Sequence, residues 1–223
     1  MNGTAPQPQT ADGDSLAARM RNVWRSSRLE YRAIDGDDQA FILRHVLNDP
    51  AVAVLSSGDL LKPQTAKDSD DFVKRLGTCT LSVAICLPDA AAAPKTTPGG
   101  GEMIGFLCLA PTRPLAQPHH RSCDLAISLA AHRQRRGYGS EAIAWALDWA
   151  FGHAGLHRVG LCTAAFNARA LGVYRALGFV DEGRQRQRIR SDGAWHDLVF
   201  LSVLEHEWEA RRGGRESVVL VGR

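Results

Sequence analysis

The sequence predicts a mixed α/β or α+β fold in a single domain. Three observations carry that expectation. At 223 residues the chain is long enough for one well-packed core and short for two. Apolar residues make up 44% and charged residues 23%, the balance of a chain that folds over most of its length. Finally, β-rich runs and helix-period runs follow in the order strand, two helices, three or four strands, helix, strand, helix, two strands, with no internal repeat.

Taken in order, residues 1–20 are polar and rich in Pro, Gly and Thr, and read as a disordered tail before a domain over 21–208. "RLEYRAI" alternates around Leu29, Tyr31 and Ala33 and reads as the first strand. "DGDDQAFILRHVLND" opens on helix-capping acids, and Ala40, Phe41, Leu43, Val46 and Leu47 then follow a helical period. "KDSDDFVKRL" gives a second helix. "TLSVAICL" and "MIGFLCL" are β-rich, and the Pro- and Gly-rich "PDAAAAPKTTPGGG" between them reads as the long flexible loop of a hairpin. "DLAISL" is a strand. The helix after it places Ile143, Leu147, Ala150 and Phe151 on one stripe, widened by Trp145 and Trp149. "RVGLCT" is a further strand, and "NARALGVYRALGF" a short helix with Asn167 at its cap and Gly178 as its stop. "FVDEGRQRQRI" and "AWHDLVFLSVL" close the sheet through "SDG". Residues 209–223 turn charged and read as a loose tail.

Bulk properties exclude several functions. The net charge of +3 is mild and does not call for a nucleic-acid partner. No apolar run approaches membrane-spanning length, and "MNGTAPQPQTADGDSLAARM" lacks the basic-then-apolar pattern of a secretory leader, so a cytoplasmic protein with no membrane partner is expected. Cys79, Cys86, Cys108, Cys123 and Cys162 fall in neither CxxC nor Cys/His spacing and read as buried free thiols. His119-His120, in a Pro-flanked loop, lacks a second ligand pair, and no metal is expected.

The chemistry concentrates in "HRQRRGYGSEAI", residues 132–143. Gly137 and Gly139 allow a tight turn and close approach of a ligand to the backbone. The helix that follows begins with unpaired N–H groups and a partial positive charge, a ready site for phosphate oxygens. Arg135 and Arg136 add cationic charge and Ser140 a hydroxyl, which suits a pyrophosphate. A P-loop would need Gly-Lys-Ser/Thr, which is absent. Gly137, Gly139 and Ala142 formally meet a dinucleotide fingerprint, but five polar residues part the strand from Gly137, and "RVGLCTAAF" ends without the required acid. A helix start with solvated arginines is the plain alternative.

A second segment follows: Asn167-Ala-Arg-Ala170, then Tyr174, then Gly178-Phe179. Together with Gln134-x-x-Gly137-x-Gly139 it resembles the two signature segments of the GNAT superfamily of acyl-CoA-dependent N-acyltransferases. A looser match from about Arg28 to Trp208 is most similar to the ribosomal-protein N-terminal acetyltransferase and spermidine acetyltransferase branch. The resemblance implies a central, mostly antiparallel twisted sheet, splayed between two adjacent strands and flanked by about four helices. It implies acetyl-CoA as co-substrate and direct transfer of an acetyl group to a primary amine. Backbone groups of Ile127, Ser128 and Leu129 would pair with the pantetheine arm. The run Gln134, Arg135, Arg136, Gly137, Tyr138, Gly139 and Ser140 would hold the pyrophosphate, and Asn167 would touch CoA.

In the same family Tyr174 matches the general acid, against the alternative of a core tyrosine facing Ala170, Val173 and Leu177. The glutamate that some relatives use as base is replaced here by Cys162. Asp124 occupies the place where others carry an acid, with a strand-entry role as its alternative, and a water chain to a remote carboxylate is equally workable. Arg184, Arg186, Arg188 and Arg190 alternate and are expected on one strand face, as a solvated edge or an anion-binding surface. His196-Asp197 reads as structural pairing or as part of the acceptor site. An acetyl-CoA:amine N-acetyltransferase is the leading expectation. A non-catalytic acyl-CoA-binding module and, behind it, a binder of an anionic partner are the alternatives.

Overall fold

Seven strands form one sheet: β1 (Glu30–Arg32), β2 (Leu81–Leu87), β3 (Glu102–Pro111), β4 (Ser122–Leu129), β5 (Arg158–Ala164), β6 (Val180–Ser191) and β7 (Ala194–Leu204). In this computed structural model, which describes residues 20, 22–88, 101–112 and 117–213, their order is β1-β2-β3-β4-β5-β7-β6. Every neighbouring pair is antiparallel except β4–β5, which is parallel. The expected β2–β3 hairpin is present; most of its loop, residues 89–100, lies outside the described residues, as do residues 1–19 and 214–223 of the expected tails.

Side-chain alternation sorts the core into two layers. On one face Val83, Ile85, Leu107, Leu109, Val159, Leu161, Val199, Leu201 and Val203 are buried beneath three helices: α4 (Tyr138–Gly152), α5 (Ala168–Leu177) and α6 (Glu205–Gly213). In α4 the expected stripe is seen, with Ile143, Leu147 and Ala150 at 1% exposure or less. Trp145 stacks on Tyr31 at 3.6 Å between centroids and donates its indole N–H to the Val23 carbonyl. On the other face Ala84, Cys86, Met103, Phe106 and Cys108 are covered by α1 (Gln39–Ile42), α2 (Pro50–Ser56) and α3 (Ala66–Leu76). Each of the larger of these side chains contributes about 1.5–3 kcal/mol by leaving water.

The two helical segments expected over 35–49 and 67–76 are present, each opened by a capping box. Asp35 and Asp38 form a capping box around the turn Gly36–Asp38 that leads into α1, which runs on into a π-helical turn, Leu43–Leu47. Thr65 and Asp68 do the same for α3.

Two helices go beyond the sequence-based expectation. The signal for α2 is in the sequence, with Asp49 capping the Ala51 N–H and Pro50 at the first helical position. α6 corrects the expected loose tail: it continues past Trp208 to Gly213 because it is tied down at both turns. Trp208 donates its indole N–H to the Asp148 carboxylate at 2.8 Å, and Arg212 pairs with the same oxygen at 2.7 Å. Burial raises the Asp148 carboxyl above its usual range, and the two partners work against that.

Two further expectations are corrected. The four alternating arginines do not share one regular face. The register slips between Gln185 and Ile189, so Arg186, Gln187 and Arg188 oppose the single residue Asp197. Gln187 sits at φ 51° there and donates its N–H to the Asp197 carboxylate. Of the cysteines, Cys86, Cys108 and Cys123 are buried, Cys79 is half-buried and Cys162 is exposed; all five are free thiols.

Candidate active site

The parallel pairing of β4 with β5 stops almost as soon as it begins. Ser122, Cys123 and Asp124 pair with Arg158, Val159 and Gly160, and beyond that the strands part. β4 goes on to Leu129 with β3 on its other edge, and β5 goes on to Ala164 with β7 on its other edge. A fork opens with residues 125–129 on one wall and 161–164 on the other, so Ile127, Ser128 and Leu129 lie along a strand edge without a sheet partner. Gly105 explains how β4 can turn in against β3 here. A Cβ on it would lie 2.2 Å from the Ser128 carbonyl oxygen and 2.7 Å from a Leu129 methyl. The Ser128 hydroxyl is buried with no hydrogen-bond partner among the described residues.

The glycine loop stands at the open end of this fork. After the turn Ala131–Arg133, Arg135 adopts φ 62° and Gly137 φ 81°, and Gly137 is the N-cap of α4. A glycine cap offers no side chain to the helix start, and the first intrahelical bond runs from the Glu141 N–H to the Gly137 carbonyl. The N–H groups of Tyr138, Gly139 and Ser140 are therefore the donors that the helix itself does not use. A Cβ at Gly139 would meet only a Leu129 methyl at 3.7 Å, so the protein's own packing does not require a glycine there. Arg135 and Arg136 are exposed and make no ion pair among the described residues.

Gln134, the first residue of the motif, is engaged within the protein. Its amide donates to the Leu129 carbonyl at 3.0 Å and its oxygen accepts from Arg169, so it braces the loop against β4 and α5.

Arg28 is the residue that sequence reasoning missed. Its guanidinium pairs with Glu141 at 2.8 Å, donates to the Arg136 carbonyl and lies over the Tyr138 ring, while Ser26 and the Arg28 N–H bind the other Glu141 oxygen. No periodicity links residues so far apart; the signal was only the isolated arginine before the first strand.

At the closed end of the fork lies Asp124, the last residue of β4 to pair with β5. Burial raises its carboxyl above the usual range, and a hydrogen bond from Thr112 and the nearby Arg158 pull the other way. Cys162 follows on β5; although the residue is open to the fork, partial desolvation of its sulfur and the charge of Asp124 raise its thiol. Tyr174 comes from α5, packed against Phe179, and burial together with Cys162 pushes its phenol up to about 12. Cys162 thus lies within electrostatic reach of both Asp124 and Tyr174. Asn167 caps α5 through the Ala170 N–H and donates to the Leu55 carbonyl, joining α5 to the end of α2. His196 lies edge-on to Phe166, whereas Asp197 is taken by Arg184 and the Gln187 N–H. Among the described residues no group of three or more His, Cys, Asp or Glu could hold a metal ion, and no helix is long and apolar enough to cross a membrane.

Residues 87–179, which contain the fork, the glycine loop and Tyr174, match the family described as acetyltransferase (GNAT) family. The protein named ribosomal N-acetyltransferase YdaF, from Bacillus subtilis, is 30% identical over 93 residues, 42% of this chain and 51% of that protein. A spermidine N(1)-acetyltransferase from Vibrio cholerae is 30% identical over 89 residues, 40% of this chain and 51% of that protein. The chain thus spans about half the length of the curated relatives it matches. In three dimensions the likeness is wider. The crystal structure of a spermidine N-acetyltransferase from Vibrio cholerae, in complex with CoA and spermine, superposes with a TM-score of 0.67 at 22% identity, over 82% of this chain and 99% of that one. Residues 87–179 thus match the acetyltransferase (GNAT) family, and the fold over most of the chain is that of the superposed acetyltransferase structure.

Proposed function

We propose that this protein transfers the acetyl group of acetyl-CoA directly to a primary amine. The observation that carries the reading is the fork itself, with an anion-ready helix start at its open end and Asp124, Cys162 and Tyr174 grouped around its closed end. The N–H groups of Tyr138, Gly139 and Ser140, with Arg135 and Arg136, would hold the pyrophosphate. The free edge of Ile127, Ser128 and Leu129 would pair with the pantetheine amides, as a strand pairs with its neighbour.

The thioester then lies between the walls of the fork, where a strand N–H polarises its carbonyl oxygen. The incoming ammonium must lose a proton before its nitrogen can attack. Asp124 takes that proton; partial burial makes it a stronger base than a solvated carboxylate. Tyr174 faces the leaving sulfur. A phenol held at about 12 stays protonated through the neutral range, so it donates a hydrogen bond to the departing thiolate and yields its proton only as charge develops there. The relatives' names favour a polyamine or a protein N-terminus as acceptor.

The test is an amine panel with acetyl-CoA: spermidine, a short peptide with a free N-terminus, and a small arylalkylamine. Thiol release matched by an acetylated amine in the mass spectrum is expected. CoA binding in a calorimeter with no turnover of any amine would instead make the chain a binding module.

A further inference from the structure

We infer that Arg158 is a positioning residue for Asp124: held by Glu182 and Ser202, it faces the Asp124 carboxylate across the bare Cα of Gly160 and keeps it charged and in place. This rests on the reading of Asp124 as the base.

Four strands and the end of a fifth meet at this spot. Asp124 on β4 pairs with Gly160 on β5, Gly160 with Ser202 on β7, and Ser202 with Val180 on β6. Glu182 lies just beyond, within the register break between Asp181 and Gly183. Arg158 gives Nη2 to Glu182 Oε2, and Ser202 donates its hydroxyl to Glu182 Oε1 at 2.7 Å. With Nη2 engaged, Nη1 is the end that faces onward. A Cβ built on Gly160 would stand 2.7 Å from Arg158 Nη1 and 2.8 Å from Asp124 Oδ1. The guanidinium and the carboxylate thus border the same space, which any larger residue at 160 would occupy. On its far side Asp124 Oδ1 accepts from the Thr112 hydroxyl at 3.2 Å, and Thr112 is also bonded to Ser122.

The electrostatics give the arrangement its purpose. Asp124 is pushed toward neutrality by burial and by Glu182, and toward its charged form by Thr112 and Arg158. Burial alone would raise Glu182, but the bonds from Ser202 and Arg158 together hold it below its usual range, so it stays ionised and keeps the guanidinium fixed. The other titratable groups around Asp124 are thiols, Cys162 on β5 and Cys123 beside it on β4. α2, which packs against β4 and β5, carries no titratable side chain. Arg44 and His45 of the π-helical turn also lie by β4, but His45 stands against His132, past the other end of that strand. Among the described residues Arg158 is therefore the cation that acts on Asp124.

The experiment measures kcat/KM against pH, using the amine from the panel that turns over fastest, together with a carbon-detected NMR titration of the Asp124 carboxyl. Replacing Arg158→Met should move the acid limb and the carboxyl titration upward by about one pH unit, with rates returning toward wild type at high pH. Arg158→Lys should restore part of the shift, because charge returns without the fixed geometry. A folded Arg158→Met protein with an unshifted Asp124 titration overturns the proposal; if that variant does not fold, an unshifted titration in Arg158→Gln does so. Asp124→Asn, assayed alongside, separates the two claims. Full activity there removes Asp124 as base, while the NMR titration still decides whether Arg158 controls its charge.

Discussion

The glycine-loop end of the fork is written in one uninterrupted stretch, residues 132–141, whereas the Asp124 end draws Thr112, Asp124, Arg158, Ser202 and Glu182 from β4, β5, β6, β7 and the end of β3. The first is a local solution. Two left-handed residues and a helix start make donors wherever they are placed. The second exists only when several strand registers are correct at once, because Asp124, Gly160 and Ser202 meet through ladder pairing. On the proposed function, the first end would bind the pyrophosphate and the second would carry the chemistry and the choice of acceptor.

This contrast predicts that damage at the two ends differs in kind as well as size. The largest effect should come from the strand-built end. Asp124→Asn should lower kcat by about 10³-fold near neutral pH with little change in CoA affinity, and recover in part as pH rises and the amine deprotonates unaided. A variant with wild-type rates across the pH range would return Asp124 to a structural role. Tyr174→Phe, between the two ends, should cost about 10²-fold, mostly in kcat, with folding and CoA affinity kept. With its phenol held at about 12, Tyr174 should also leave no limb in the pH–rate profile below pH 11; a basic limb near pH 9 that vanishes in the Phe variant would mean a phenol less enclosed than this. The smallest effect belongs to the loop. Arg136→Glu should weaken CoA binding about tenfold by calorimetry, more at low salt than at high, while the turnover of saturated enzyme is nearly unchanged. A larger loss in kcat than in affinity would mean that the two ends are coupled.

The same contrast explains what the sequence made legible. The sheet, the main helices, the glycine loop and the cap at Asn167 rest on periodicity and near-neighbour rules, and they could be read from "HRQRRGYGSEAI" and "NARALGVYRALGF" directly. Arg158, Glu182 and Ser202 sit at unremarkable strand positions, and nothing in their surroundings marks them until β4, β5, β6 and β7 are aligned. The arginine run shows the converse failure. Its strict alternation promised one face, but a bulge opposite Asp197 cannot be seen in a pattern that assumes unbroken pairing. α6 was hidden in the same way, since its hold on the domain comes from Asp148, a carboxylate buried in the apolar body of α4.

Arg28 gives the glycine loop an unexpected timetable. The loop is the most local part of the site, yet its bracing comes from contacts between Arg28 and Glu141 that span 113 residues. A contact of that separation closes a large loop of chain and forms only after much of the intervening sheet has condensed. During folding the motif can take its turn early, while the stiffness that would hold a pyrophosphate arrives late, when the first strand docks beside α4. Any event that peels the first strand away would soften the binding loop without touching one of its own residues.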